Sequence, residues 1–351
     1  MKNNFFKIIL PVISMTVISV MLILYSEKNL TNSYSIVSNS GYYFDTFISI
    51  SIYEKDEALV ENDKNLIAEC FNICKDYELI FSHTNTDSEL YKLNISSAST
   101  TKISSDLYNI LSIADEYNTL TNGAFNVLIG NIEGLWDFKK CNIPADDIID
   151  QQLELLFKAN YTLANNTITF NNSKSLIPDI NLGGIAKGYI ADKIKDFLLS
   201  NNVNSAIINL GGNILLIGEK PDKELFNIGI TKPFTTTGEN IASVQTSNMS
   251  VVTSGIYERY FKQNSTIYHH IIDPSTGYPV QNNLYSVTII SASSTIADIL
   301  STSAFVLGED KGMELINKTD DVYAVFITSD FKIILSDGLK MDNNTITIAD
   351  N

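Results

Sequence analysis

From Phe47 to Ile52, apolar and polar residues alternate. Ile48, Ile50 and Ile52 share one side and Phe47, Ser49 and Ser51 the other. A period of two predicts a half-buried strand. The period then lengthens. Leu66, Ile67, Cys70, Phe71, Cys74 and Tyr77 recur at helical spacing between Asn62 and Phe81, and Leu107, Ile110, Leu111 and Ala114 do so between Ser105 and Tyr117. Two amphipathic helices are expected there. After Asp137 a weaker αβ stretch leads to a hairpin, Tyr161–Phe170, turning at Asn165-Asn166. The second half alternates expected strands at Ile177–Leu182, Ala206–Leu210, Phe226–Thr231, Val287–Ser291 and Val322–Thr328 with helices near Ala186–Leu199 and Thr295–Leu307. No internal repeat or long linker interrupts this order. The pattern predicts one mixed α/β (α+β) domain of two lobes with its termini at the surface.

The N-terminus stands outside that pattern. Lys2 and Lys7 precede an uncharged apolar run from Ile8 to Tyr25, long enough for a marginal membrane span. Without an evident small-x-small cleavage site, residues 1–28 read as an uncleaved signal anchor in preference to a cleaved signal peptide. Residues 29–40 read as a polar tether and 41–351 as the folded domain. Positive charge ahead of the span places the domain on the extracytoplasmic face of the membrane, or outside the cell if the segment is cleaved.

The chain has 351 residues and a formal charge of -16. So acidic a protein is ill suited to nucleic acid or an anionic membrane surface. An anionic ligand would need local compensation from a metal, a lysine or a helix N-terminus. Cys70 and Cys74 lie four apart in a helical pattern and read as core, and Cys141 stands alone, so no disulfide framework is implied.

Arg259 is the only arginine among 24 Lys and Arg residues. A planar, permanent charge is wanted there, either to tie two loops together or to serve a site. Asp179-Ile-Asn-Leu-Gly-Gly-Ile-Ala-Lys-Gly-Tyr-Ile-Ala-Asp192 reads as a strand that breaks at two glycines into a helix. It is either a tight turn with a solvated Lys187 or a phosphate-binding helix N-terminus. Asp298 and Thr302 are four apart on an expected helix, a hard-oxygen pair suited to Mg²⁺, but Thr295-x-x-Asp298 is equally a capping box. His269 and His270 fall in a strand-like run from Thr266 to Ile272, so only one of them can face a given cleft. His270 shares a side with Tyr268 and Ile272, and His269 with Ile267 and Ile271. A histidine there is a general base or a structural residue.

Taken together and in order, these blocks resemble the ApbE family, the FAD:protein FMN transferases. The resemblance is carried by Phe44-Asp-Thr46, Phe81-Ser82 with Asp87-Ser-Glu-Leu90 and Leu93-Asn94, and Gly123-Ala-Phe-Asn126 leading to Leu135-Trp136. It continues through Asn181–Tyr189, Ile208–Asn213, Thr253-Ser-Gly255 with Tyr257 and Arg259, His270–Pro274 with Thr276-Gly277, and Asp298 with Ser301-Thr302. It implies a two-lobed fold with FAD in the cleft between the lobes and Mg²⁺ on its pyrophosphate. By that analogy Gly184, Asp298 and Thr302 hold the metal. Phe44, Thr84, Ala124, Phe125, Asn126, Asn181, Lys187 and Ile272 contact FAD, and His270 deprotonates the acceptor. The acceptor implied is a threonine or serine of a flavoprotein, typically a subunit of a membrane ion-pumping NADH or ferredoxin oxidoreductase, and AMP is released. Asn126 and Asn181 stand where the family commonly has aspartate, and Thr84 where some members place an aromatic. Two other readings keep the same site: an FAD pyrophosphatase giving FMN and AMP, and a surface flavin-binding protein without turnover.

Overall fold

The computed structural model describes residues 34–172, 177–235 and 238–349; the expected anchor at 1–28 lies outside them. Among the described residues, no helix is long and apolar enough to cross a membrane.

An eight-stranded antiparallel sheet organises the molecule. Its strands run, in spatial order, Ser35–Tyr43, Thr46–Glu54, Ala206–Leu210, Asn213–Ile217, Ser250–Gly255, Leu284–Ser291, Val322–Thr328 and Ile333–Leu335. The first corrects the expected tether. From Ser35 onward the chain is an edge strand paired residue for residue with Thr46–Glu54, because Val37 reaches the core while its neighbours face outward. The alternation at Ile48, Ile50 and Ile52 does bury all three. The expected strand at Ile177–Leu182 is extended chain that joins no sheet, and its backbone pairs instead with residues 127–130.

Both faces of the sheet are covered. Leu215, Ile217, Val252, Ile289 and Phe326 face helices Val60–Phe81, Ala186–Ser200 and Ser294–Asn317 in the main core. The alternate residues Leu216, Val251, Ile290, Val325 and Ile327 join Phe226, Ile230, Val244 and Ile346 from a smaller four-stranded sheet in a second core. A period of two thus serves two cores from one sheet. The predicted hairpin forms as Tyr161–Ala164 and Thr167–Phe170, with Asn165 and Asn166 left-handed at φ 50° and 55°. The last helix is longer than its pattern suggested, running to Asn317 through a kink at Gly308 with φ 79° and ψ -177°. Trp136 donates its indole N–H to the Gly277 carbonyl at 3.0 Å and stacks on Tyr268 and Phe138. That joins the 123–138 segment to the His270 loop.

Candidate functional site

Two helices meet with almost no side chain between them. A Cβ at Gly188 would collide with the Ser294 carbonyl oxygen, so only glycine lets the Ala186 helix approach the Ser294 helix this closely. The approach brings Asp298 Oδ2 to 2.9 Å from the Gly188 N–H. That N–H belongs to the first turn of its helix, where the backbone lacks an internal acceptor. Asp298 is 4 % exposed, and its other oxygen lies 3.9 Å from Lys187 Nζ. One turn on, Thr302 Oγ1 is 3.2 Å from Ser254 Oγ, which also bonds Ser301 Oγ at 2.8 Å. A side chain at Gly184 would begin 3.6 Å from Thr302 Oγ1 and 3.3 Å from the Phe125 ring. Gly184, Asp298, Thr302, Lys187 and Phe125 therefore share one corner.

Asp298 is not the partner of a local capping box. Ser293 is the N-cap and accepts from Ile296 N at 3.3 Å. Asp192, from the neighbouring helix, accepts from Ser294 N and Thr295 N at 2.9 Å and from Thr295 Oγ1 at 2.7 Å. With its helix start satisfied by Asp192, Asp298 is left for the corner. Its buried carboxylate, a threonine hydroxyl and a glycine backbone supply hard oxygen donors, which fit Mg²⁺.

The histidines separate as alternation requires, although the strand ends at His269 rather than Ile272. Beyond it, Ile271 and Ile272 pair with Pro279 and Val280 instead. His269 is 2 % exposed. Its Nε2 lies 2.8 Å from the Val280 carbonyl, and its Nδ1 accepts from Ile271 N at 3.3 Å. Those partners assign the Nε2–H tautomer. Burial pushes its pKa down to about 4. His270 donates its backbone N–H to the Arg259 carbonyl at 3.1 Å, and its buried Nδ1 finds no hydrogen-bond partner. Burial first, then the Arg259 charge, the coupling to His269 and the Lys187 charge lower its pKa to about 3. The imidazole is neutral and partly exposed, and it feels the charges of Arg259 and Lys187.

The remaining candidates come from five segments of the chain. Phe44 sits in the two-residue turn between the first strands at φ 51°, followed by Asp45 at φ 57°, and its N–H is held by Glu78 Oε1 at 2.9 Å. Left-handed Phe is unfavourable, so Glu78 anchors a strained turn. Asn126 Oδ1 caps the turn at Val127, accepting from Leu128 N at 2.9 Å. Beside it, Ala124 N and Phe125 N bond the backbone carbonyl and hydroxyl of Thr121. Asn181 bonds Glu133 and Gly183. Thr84 is exposed on the 82–85 loop, bonded locally to Ser82. Its neighbour His83 feels Asp45, Asp179 and Arg259, which brings that loop near Arg259 and the Phe44-Asp45 turn. Ile272 lies two residues beyond His270 with its side chain in the core. Glu133, Glu258 and His83 all retain solvent exposure yet have pKa values displaced chiefly by desolvation.

The ApbE family model matches residues 44–327. The chain belongs to the ApbE family. Among its relatives, the FAD:protein FMN transferase of Klebsiella pneumoniae is 35 % identical over 293 residues, covering 82 % of this chain and 88 % of the relative. The transferase of the same description from Treponema pallidum is 32 % identical over 309 residues, covering 84 % and 85 %. The solved structure of the flavin transferase ApbE from Vibrio cholerae superposes with a TM-score of 0.73 at 27 % identity, covering 87 % of this chain and 98 % of the other. The ApbE protein from Thermotoga maritima gives 0.76 at 28 %, covering 87 % and 97 %. Four residues around this candidate site were not singled out by sequence reasoning. Glu78 and Asp192 act on backbones far along the chain, and Ser254 was visible only as part of a short block. Glu133 had one local cue, a lone carboxylate in the mainly apolar run Val127–Trp136.

Proposed function

We propose that this chain transfers FMN from FAD to a hydroxyl of a protein acceptor, releasing AMP. The observation that carries the reading is the convergence of Gly184, Asp298, Thr302 and Lys187 at the first turn of the Ala186 helix, near a neutral His270. A diphosphate needs such a corner in an acidic chain. The helix N-terminus and the Lys187 ammonium supply positive charge. Gly184, Asp298 and Thr302 would hold Mg²⁺, which when bound supplies Lewis-acid polarisation of the diphosphate.

The protein's own groups do the rest. Phe44, Thr84, Ala124, Phe125, Asn126 and Asn181, with the backbone of Ile272, contact the flavin and adenosine in this reading, orienting the FMN phosphorus toward His270. His270 accepts the proton of a threonine or serine hydroxyl. The freed oxygen bonds to the FMN phosphorus, the bond from that phosphorus to the bridging oxygen breaks, and AMP departs with the bridging oxygen and its charge. Lys187 lies where that charge develops. An arriving diphosphate offsets the Arg259 and Lys187 charges and so raises the basicity of His270. The apolar segment Ile8–Tyr25 is read as holding the domain at the extracytoplasmic face of the membrane, where the acceptor is a flavoprotein subunit of an ion-pumping oxidoreductase.

Product analysis tests this. Purified protein with FAD, Mg²⁺ and a threonine-containing acceptor peptide should yield FMN-peptide and AMP in equal amounts, and EDTA should abolish both. Free FMN regardless of peptide would make water the acceptor. Unchanged FAD with saturable flavin quenching would leave a binding protein.

A further inference from the structure

Residues 127–133 are clamped along the extended chain that leads into the Gly183-Gly184 turn. Asn181 N donates to the Val127 carbonyl at 2.8 Å and Gly130 N to the Asp179 carbonyl at 3.0 Å. Asp179 N donates to Asn131 Oδ1 at 2.8 Å. A Cβ at Gly130 would stand 2.5 Å from the Asp179 oxygen, so the backbones are in contact. The remaining clamp is a side-chain pair: Asn181 Nδ2 donates to the Glu133 carboxylate. A carboxamide has one donor end and one acceptor end. Fixing the donor on Glu133 leaves Asn181 Oδ1 to accept from Gly183 N, which it does at 2.9 Å. Gly184 comes next, against Thr302 and Phe125.

We propose that Glu133 is a positioning residue: by orienting the Asn181 carboxamide it sets the Gly183-Gly184 turn, and with it the Gly184 edge of the diphosphate corner. Burial, opposed by the Asn181 hydrogen bond and the Arg259 charge, raises the Glu133 pKa to about 7. An apolar side chain would fill this place without that desolvation, so the carboxyl serves the turn rather than the core. The link to FAD rests on the flavin-transfer reading; the control of the turn does not.

Four variants of the full chain test it. Glu133→Val removes the acceptor, whereas Glu133→Gln keeps one. Asn181→Asp sets two carboxylates against each other, and the swap Glu133→Gln with Asn181→Asp restores one donor facing one acceptor. Without ligand, hydrogen exchange across Asn181–Lys187 should quicken about tenfold in Glu133→Val and Asn181→Asp, the worth of one hydrogen bond. Glu133→Gln and the swap should stay within about threefold of wild type by the same measure of one bond kept. FAD affinity from flavin quenching should fall in Glu133→Val and stay near wild type in Glu133→Gln, the two variants that keep Asn181. Unchanged exchange in Glu133→Val, equal loss in Glu133→Gln, or additive losses in the swap would overturn the proposal. Should Glu133→Val fail to fold, the swap, whose groups stay polar, decides alone. Wild-type protein that shows the exchange pattern but binds no FAD would sink the transfer reading and leave Glu133 in control of the turn.

Discussion

Asn-Leu-Gly-Gly occurs twice in this chain, at Asn181–Gly184 and Asn209–Gly212, and folds in two ways. Both copies bury the leucine, and both use the asparagine Oδ1 to accept from a glycine N–H at 2.9 Å, Gly183 in one and Gly212 in the other. At the second copy, Gly211 and Gly212 are left-handed, at φ 64° and 92°, and join two antiparallel strands. At the first, neither glycine is left-handed and the chain enters a helix. The residues just C-terminal to each copy account for part of the difference: Ile214, Leu215, Leu216 and Ile217 pair as a strand, whereas Ala186 to Asp192 keep helical spacing. Spatial neighbours decide the rest. Thr46 closes over Gly211, where a Cβ would lie 2.5 Å from its Oγ1, while Gly184 faces Thr302 and Phe125. The tetrapeptide supplies a capacity to turn, and its surroundings choose between a structural hairpin and a site.

The comparison breaks most visibly if the groups gathered at the first copy prove dispensable. His270→Ala should lower transfer by about 10²–10⁴-fold with FAD affinity little changed, read by FMN attachment to the acceptor beside the dissociation constant. Asp298→Ala should likewise lose Mg²⁺-dependent turnover, at about 1–3 kcal/mol of stability for the unpaired Gly188 N–H. Wild-type Mg²⁺ response in that variant would return Asp298 to a purely structural role.

A smaller effect contrasts the glycines themselves. Gly211→Ala should lose about 2 kcal/mol or more, since it adds left-handed strain and a collision with Thr46, and its activity should track the folded fraction. Gly184→Ala, free of that strain, should melt near wild type while transfer falls. Denaturant melts with activity per folded molecule separate the two, and equal destabilisation would mean that both turns are structural.

The neighbouring histidines extend the contrast to pH. His269 titrates at 6.5 when unfolded and about 4 when folded. Below pH 6.5 the unfolded chain therefore binds the extra proton, and stability is lost as pH falls from 6.5 through about 4. His269→Gln keeps a donor for Val280 and should flatten that acid limb by up to about 3 kcal/mol. Glu133 has the opposite sign: its contribution is present at low pH and lost as pH rises from 4.5 through about 7. Thermal melts between pH 4 and 7 on wild type and His269→Gln isolate the histidine limb. The least effect is expected from Asn209→Ala, about 0.5–1.5 kcal/mol for one exposed hydrogen bond with FAD affinity unchanged; a shift in affinity would tie the second turn to the site.

Much of this was legible in order along the chain. The Ile48–Ile52 alternation, the helix ending at Phe81 and the Asn165-Asn166 hairpin formed where their patterns lie, because each depends on residues a few positions apart. That His269 and His270 take different surroundings was legible for the same reason, as neighbours on extended chain point apart. The strand expected at Ile177–Leu182 failed because its apolar residues pack in the core while its backbone bonds go to residues 127–131 and to the Asn94 side chain. The tether failed at Ser35 because an edge strand needs only one buried residue in several, which polar composition conceals.

Alone, then, the sequence determined where the chain turns, where it coils and which side of each element seeks the core, since these result from backbone sterics and from hydrophobic period. Through the resemblance carried by its ordered blocks, it also named candidate residues for the corner. Tertiary structure alone decided which polar groups complete them. Glu133 meets Asn181 across 48 residues, Asp192 caps Ser294 across 102 and Asp298 reaches Gly188 across 110. A hydrogen bond is satisfied by distance and direction in space, and only the packed sheet and helices bring such distant groups within reach of one another.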